Sequence, residues 1–233
     1  MKDKVAVITG ASSGIGKAIA NSLISEDYKL VVSGRTCRDV YQQSQNIVIN
    51  DKDLTDEKTS KYLLEDAITN YGKCDYLFVN AGIITSGTIE EIDINKVCLM
   101  ARLKVESSFR LIYTFLKEFK RQGFGHIFIT SSVLGTKVRE TSGAYAGCNY
   151  ALEAFAEALR MELSHTDIQI TCLEPGLVKT NLHRDWETHP AELLNISNTL
   201  TPADIAEVVK DIISKPNHIR IPRYMILPKG HKI

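Results

Sequence analysis

The chain has 233 residues, and its 28 lysines and arginines balance 28 aspartates and glutamates. A net charge of zero argues against nucleic acid or an anionic membrane as the main partner, because both favour a surplus of basic residues. Hydrophobic residues make up 44% and charged residues 24% of the chain, which excludes a disordered, collagen-like or coiled-coil protein.

Short apolar runs alternate with longer helical patterns along the whole chain. Most of the short runs are continuously apolar, which is typical of parallel strands covered on both faces. The predicted strands are 4–9, 29–34, 46–49, 75–80, 126–132, 168–173 and about 219–227. The predicted helices are 14–26, 55–71, about 93–121, 143–165 and 202–214. This alternation predicts one α/β domain spanning 1–233, a doubly wound Rossmann-type parallel sheet of about seven strands flanked by helices.

A glycine-rich turn lies between the first predicted strand and the first predicted helix. Glycines at such a place allow backbone N–H groups to approach a pyrophosphate, and the helix N-terminus adds a partial positive charge. A turn of this kind between strand and helix therefore indicates a dinucleotide site. Its residues are Gly10, Ser12, Ser13, Gly14, Ile15 and Gly16.

The spacing T-G-x-x-x-G-x-G resembles the short-chain dehydrogenase/reductase family, and further motifs resemble that family in the same order. The resemblance runs from about residue 4 to residue 228 and implies a nicotinamide cofactor. It places other cofactor contacts at Asp53 and Leu54 beside the adenine, at Asn80, Ala81 and Gly82 after the fourth strand, and at Pro175, Gly176, Val178 and Thr180 beside the nicotinamide.

The end of the second strand indicates which nicotinamide cofactor is preferred. An NAD-dependent protein usually has an acid here, to accept a hydrogen bond from the ribose 2′-hydroxyl. This chain has Arg35, with Arg38 nearby and no acid before Asp39. A guanidinium suits a 2′-phosphate, so the sequence favours NADP(H) over NAD(H). A solvated arginine at a strand end is the alternative.

The resemblance also implies a catalytic serine and tyrosine, which this chain supplies as Ser132 and Tyr145. The family's lysine, four residues after the tyrosine, is replaced by Asn149. The family's asparagine in the long preceding helix aligns with Arg102, and Asn95 is an alternative about two turns upstream. Two of the four expected catalytic positions therefore depart from the family pattern.

Three hypotheses account for this departure. Arg102 supplies the positive charge that position 149 lost, while Asn149 takes a polar role. Alternatively, the protein is an impaired or specialised reductase that works through Ser132 and Tyr145 alone. In the third, it is a non-catalytic nucleotide-binding protein that acts as a sensor, scaffold or partner subunit. A cation near the tyrosine changes its pKa by about 1–3 units, so its loss would slow proton transfer roughly 10- to 1000-fold.

The segment 181–200 interrupts the alternation of strands and helices. It holds the only tryptophan, Trp186, together with His183, His189 and Pro190. A long insertion before the last helix is typical of a substrate loop. The alternative is a loop that packs on the protein surface and has no role in substrate binding.

Targeting and metal-binding signals are missing from the sequence. No apolar run approaches the roughly 18 residues that cross a bilayer, and the first residues lack a signal-peptide layout. The five cysteines include no C-x-x-C pair, which favours a reduced, cytoplasmic protein without structural zinc. The six histidines show no ligand spacing, so no metal site is expected.

The expected activity is reduction of a small carbonyl compound to an alcohol, with Tyr145 as the acid and Ser132 orienting the carbonyl. By resemblance to the family, the protein is expected to form a homodimer or homotetramer.

Overall fold

A seven-stranded sheet forms the centre of the computed structural model, which describes residues 3–184 and 186–233. Every strand pairs in parallel with its neighbours, in the order β3-β2-β1-β4-β5-β6-β7. The order reverses direction between β1 and β4, and ligands of such sheets bind at the carboxyl ends of the strands beside that reversal. The strands are β1 Val5–Thr9, β2 Lys29–Ser33, β3 Ile47–Asn50, β4 Tyr76–Val79, β5 Phe124–Thr130, β6 Asp167–Pro175 and β7 Arg223–Ile226.

Helices cover both faces of the sheet. They are α1 Gly14–Ile24, α2 Thr59–Tyr71, α3 Ile94–Ala101, α4 Ser107–Gln122, α5 Gly143–Glu162, α6 Pro190–Leu193 and α7 Pro202–Ser214. A π-helical segment, Arg102–Glu106, joins α3 to α4. Short 3₁₀ turns lie at Cys37–Asp39, Val133–Gly135 and Asn181–His183. No helix in the described part of the chain combines the length and apolar character needed to span a bilayer.

Two buried apolar cores lie on opposite faces of the sheet. Successive side chains of β1 alternate between them: Val5 and Val7 pack with α2, α4 and α5, whereas Ala6 and Ile8 pack with α1 and α7. Since both faces of the strand are covered, Val5 to Ile8 are all apolar and show no polar alternation. The predicted doubly wound sheet of about seven strands is confirmed.

Two predicted helices differ from the observed ones. The helix predicted from residue 55 begins at Thr59, because the carboxylate of Asp53 accepts hydrogen bonds from the Thr55 N–H and hydroxyl and Asp56 binds the Lys58 N–H. These side-chain bonds close turns that compete with the helix. The long helix predicted over 93–121 is interrupted by the π-helical segment, which sequence periodicity does not reveal.

The segment 181–200 leaves and rejoins the sheet at nearly one place. The Lys179 N–H donates to the Leu200 carbonyl across 2.7 Å, and the Leu200 N–H donates to Leu177 across 3.0 Å. Within the segment, the ring of His183 lies 5.0 Å from that of Trp186 and 5.9 Å from that of His189. Its role as a substrate loop stays a prediction.

Candidate active site

The turn between β1 and α1 can be built only from glycines at its three key positions. Gly10 and Gly14 have φ of +67° and +54°, which side chains rarely adopt. A Cβ on Gly10 would lie 2.9 Å from the Ala81 Cα, and one on Gly16 would lie 2.3 Å from the Gly10 carbonyl oxygen. The turn therefore brings the backbone of residues 10–16 directly against the chain that follows β4.

The first turn of α1 presents backbone N–H groups that no side chain caps. Ser13 is the N-cap residue, yet its hydroxyl makes no capping hydrogen bond. A helix leaves its first N–H groups without intrahelical partners, and these groups favour a phosphate. Thr180, from the segment after β6, closes over the same turn, with its Cγ2 only 3.3 Å from a Cβ built on Gly14. The predicted phosphate residues and Thr180 thus lie together.

Asn80 ties three strands together beside this turn. Its Nδ2 donates to the Thr9 carbonyl across 3.1 Å, and its Oδ1 accepts from the Thr130 hydroxyl across 3.1 Å. The backbone N–H groups of Asn80 and Ala81 both donate to the Thr9 hydroxyl. This network fixes the carboxyl ends of β1, β4 and β5 relative to one another, and Gly82 follows directly.

Charged side chains follow the ends of β2 and β3. Arg38 forms a salt bridge of 2.5 Å with Asp51, whereas the exposed Arg35 forms no salt bridge within the described chain. Asp53 accepts hydrogen bonds from Thr55 that lower the pKa of its carboxyl, and the charge of Arg35 lowers it further. Arg35 is therefore the guanidinium left available at this strand end.

Ser132 and Tyr145 meet where β5 ends and α5 begins. The Ser132 hydroxyl caps a 3₁₀ turn by accepting from the Leu134 N–H across 3.2 Å. Tyr145 is buried, which raises the pKa of its phenol, while hydrogen bonds with the side chains of Ser132 and Asn149 offset part of the rise. The phenol is thus held neutral at physiological pH, beside a hydroxyl that can share a carbonyl oxygen with it.

Asn149 is completely buried one turn further along α5. Its Nδ2 donates to the Tyr145 carbonyl across 2.8 Å, and its Oδ1 has no hydrogen-bond partner among the described residues. A buried acceptor without a donor is unfavourable, so this oxygen is suited to a hydroxyl that enters with a ligand.

The predicted nicotinamide segment lies on the far side of the same opening. Pro175 ends β6, and the Gly176 N–H donates to the Ile226 carbonyl across 2.8 Å. A Cβ on Gly176 would lie 2.6 Å from the His231 Nδ1, so the C-terminal tail packs closely on this glycine. Val178 pairs with Leu200 in an isolated bridge.

These residues lie along the carboxyl ends of β1, β4, β5 and β6. The family model described as short chain dehydrogenase matches residues 4–191. The chain is a short-chain dehydrogenase. It is an oxidoreductase by type, and its parallel sheet of seven strands flanked by helices is the one that the sequence predicts.

Relatives of this short-chain dehydrogenase share its full length. An uncharacterized oxidoreductase of Listeria monocytogenes is 32% identical over 98% of this chain and 97% of its own. One from Staphylococcus saprophyticus is 29% identical, with 98% of each chain covered. An alcohol dehydrogenase from the archaeon Thermococcus sibiricus, solved with 5-hydroxy-NADP, superimposes with a TM-score of 0.86 at 25% identity, covering 100% of this chain and 99% of that one. A 3-ketoacyl-(acyl-carrier-protein) reductase from Brucella melitensis, solved with NADH, superimposes with a TM-score of 0.88 at 21% identity over 99% of both chains.

The structure of this dehydrogenase does not bring Arg102 to the tyrosine. The Arg102 side chain is exposed, whereas Lys104, two residues later, is buried with its Nζ 5.6 Å from the centroid of the Tyr145 ring. Residues two apart on a helix point in nearly opposite directions, so Lys104 faces inward and Arg102 faces out. The prediction that Arg102 supplies the charge is corrected accordingly, and Asn95 is also exposed.

Lys104 is the residue of this dehydrogenase that sequence reasoning missed. Lys104 stands four residues after Met100 and four before Ser108, and the structure buries all three on one stripe of the helix. A charged residue on the buried stripe of an amphipathic helix needs a polar or charged partner in the interior.

No group of three or more His, Cys, Asp or Glu side chains within residues 3–184 and 186–233 is placed to hold a metal ion.

Proposed function

We propose that this protein reduces a small carbonyl compound to an alcohol with NADP(H) as the cofactor. The observation that carries the proposal is the buried Tyr145 phenol beside the Ser132 hydroxyl, at the sheet edge that also bears the glycine turn. A neutral phenol and a second hydroxyl converging on one opening suit protonation of a carbonyl oxygen.

The cofactor is a nicotinamide dinucleotide, and the residues at this sheet edge fit it. The uncapped N-terminus of α1 suits the pyrophosphate, and the unpaired Oδ1 of Asn149 suits a ribose hydroxyl. When bound, NADPH supplies the hydride. Arg35, which has no carboxylate partner in the described chain, would hold the 2′-phosphate.

Tyr145 is proposed as the acid of the reaction. Burial raises the pKa of its phenol, so at neutral pH the phenol holds a proton that it can donate to the carbonyl oxygen. The same raised pKa makes Tyr145 a poor base for alcohol oxidation, so reduction is the favoured direction. Ser132 would orient the carbonyl by donating a second hydrogen bond.

The surroundings of Tyr145 favour a small, largely apolar substrate. Met100, Val133 and Leu134 are buried around it, and Ile83 and Ile84 pack on that cluster from the chain after β4. Apolar walls with a few convergent polar groups are typical of small-molecule sites.

A homodimer or homotetramer completes the proposal. Tyr113 on α4 and Tyr150 and Met161 on α5 are large apolar residues with 42–69% of their surface exposed. Large exposed side chains on two neighbouring helices support burial against a second copy of the chain.

A carbonyl panel with NADPH tests this function. The wild-type protein should oxidise NADPH in the presence of at least one ketone or aldehyde, and Tyr145→Phe should slow the reaction about 100-fold or more. Tyr150→Phe, at an exposed tyrosine of the same helix, is the matched control and should react like wild type. Tight NADPH binding without turnover on any carbonyl would overturn the reductase and favour the non-catalytic nucleotide-binding protein.

A further inference from the structure

Lys104 is a buried lysine that forms no salt bridge within the described chain. Only 5% of its surface is exposed, and its Nζ donates to the Thr130 carbonyl across 3.2 Å. No carboxylate within the described chain lies in ion-pair distance of this nitrogen. A buried ammonium with a single neutral partner is unfavourable for stability, which indicates that its position serves another purpose.

The groups that face Lys104 are the residues of the catalytic helix. The Tyr145 ring has its centroid 5.6 Å from the Nζ, and Cys148 and Glu153 of the same helix are near enough to affect the pKa of Lys104 electrostatically. Gly82, after β4, also lies beside the ammonium, since a Cβ there would be in van der Waals contact with the Nζ at 3.8 Å. Burial lowers the pKa of Lys104 to about 8, so the ammonium is charged at neutral pH but readily gives up its proton.

The π-helical segment determines this placement. Lys104 occupies the middle of Arg102–Glu106, where the helix is one residue wider per turn, and α3 and α4 continue on either side. Such wide turns occur mainly as single interruptions of α-helices and are frequent at functional sites. Here the wide turn directs the Lys104 side chain toward the carboxyl end of β5.

We propose that Lys104 is a positioning residue whose ammonium charge stabilises the phenolate of Tyr145 as its proton passes to the substrate. The proposal rests on the proposed reductase function and names the source of the positive charge in that site. The Tyr145 O–H bond breaks and a new O–H bond forms on the carbonyl oxygen, whose carbon would take the hydride that bound NADPH supplies, and the phenolate is then reprotonated from water. Because Asn149 is uncharged, Lys104 is the one buried cation beside Tyr145 within the described chain.

Fluorine NMR of the cofactor-free protein tests this directly. All nine tyrosines are replaced by 3-fluorotyrosine, and the Tyr145 resonance is assigned by its loss in Tyr145→Phe. Lys104→Met keeps the length of the side chain and removes its charge. In the wild type the Tyr145 resonance should shift in a step with a midpoint near pH 8, where Lys104 loses its proton, and this step should be absent in Lys104→Met. Because burial raises the pKa of Tyr145 itself, the step near pH 8 reports the Lys104 charge at the Tyr145 ring.

Lys96→Met is the matched control, because Lys96 is exposed on α3 and its loss changes the net charge equally. It should leave the midpoint unchanged. In the NADPH assay at neutral pH, Lys104→Met should lower kcat roughly 10- to 1000-fold, with little change in the KM for either substrate. Lys104→Gln provides a second neutral variant if Lys104→Met does not fold.

A step near pH 8 that persists in a folded Lys104→Met protein, or that is absent from the wild type, would overturn the proposal, even if the wild type is an active reductase. Conversely, a wild type that reduces no carbonyl contradicts the proposed function alone, because the fluorine titration needs neither cofactor nor turnover. The two failures are therefore distinguishable.

Discussion

Asn149 donates a hydrogen bond of 2.8 Å to the Tyr145 carbonyl, one turn earlier on α5. This amide occupies a fully buried position where the family pattern expects a lysine, while the lysine of this site reaches Tyr145 from the π-helical segment. One buried cation and one buried amide are thus present, with the cation on the π-helical segment and the amide at position 149.

Because these two side chains share one buried site, substitutions at positions 104 and 149 should have non-additive effects on the free energy of unfolding. Asn149→Lys adds a second buried ammonium near Lys104 and should lower the free energy of unfolding by about 2–4 kcal/mol. Adding Lys104→Asn removes the first ammonium and should recover at least about 1 kcal/mol of that loss. Urea denaturation of the single and double variants measures the coupling.

Ala158→Lys is the control for this comparison, because Ala158 is exposed on the same helix and a cation there should change stability by less than about 0.5 kcal/mol. If the changes that the two substitutions make in the free energy of unfolding are additive, positions 104 and 149 do not share one site.

A second prediction concerns cofactor choice. NADPH should bind at least about tenfold more tightly than NADH, because the Arg35 guanidinium can pair with the 2′-phosphate. Arg35→Ala should abolish this preference, whereas Arg38→Ala should retain most of it, since Arg38 is already paired with Asp51. Fluorescence titration of each variant with both reduced dinucleotides gives the ratio. Equal affinities in the wild type would refute the prediction.

Glycine positions provide a third prediction. Gly16→Ala would place a Cβ 2.3 Å from the Gly10 carbonyl oxygen and should lower the unfolding free energy by about 2 kcal/mol or more. Gly147, by contrast, is exposed in the middle of α5 with no atom near a built Cβ. Gly147→Ala should therefore raise stability by about 0.5–1 kcal/mol. Thermal or urea unfolding of both variants checks the opposite signs.

A fourth prediction concerns acid stability. His126 is buried in β5, its Nε2 lies 2.9 Å from the Thr171 hydroxyl, and burial lowers the pKa of the imidazole to about 3. In the unfolded chain the His126 imidazole binds a proton near pH 6.5, whereas in the folded chain it stays neutral at that pH. His126 therefore favours the fold above that pH and progressively loses this contribution as the pH falls toward 3.

His126→Gln should reduce the pH dependence of the unfolding free energy between pH 6.5 and 4 by up to about 1.4 kcal/mol per pH unit. His165→Gln, at an exposed histidine, serves as the control and should leave the slope close to that of wild type. Parallel slopes for His126→Gln and wild type would contradict the assignment. Urea denaturation at each pH gives the slopes.

The sequence by itself determined the fold and the edge of the sheet at which the cofactor is proposed to bind. Continuous apolar strands such as 4–9, the glycine turn and the spacing from Ser132 to Tyr145 are local signals, and each depends on residues close together in the chain. The start of α2 was missed by four residues, because the side-chain bonds of Asp53 and Asp56 are not visible as periodicity.

Only the tertiary structure decided which charge faces Tyr145. Arg102 and Lys104 are equally plausible in the sequence, since both precede Tyr145 by some forty residues and both carry a positive charge. Their orientations follow from the π-helical segment and from the packing of α3 and α4 against α5 and the end of β5. Residues two positions apart on a regular helix are rotated by about 200° about its axis, which leaves Arg102 exposed and Lys104 buried. Long-range packing determines which of the two faces inward.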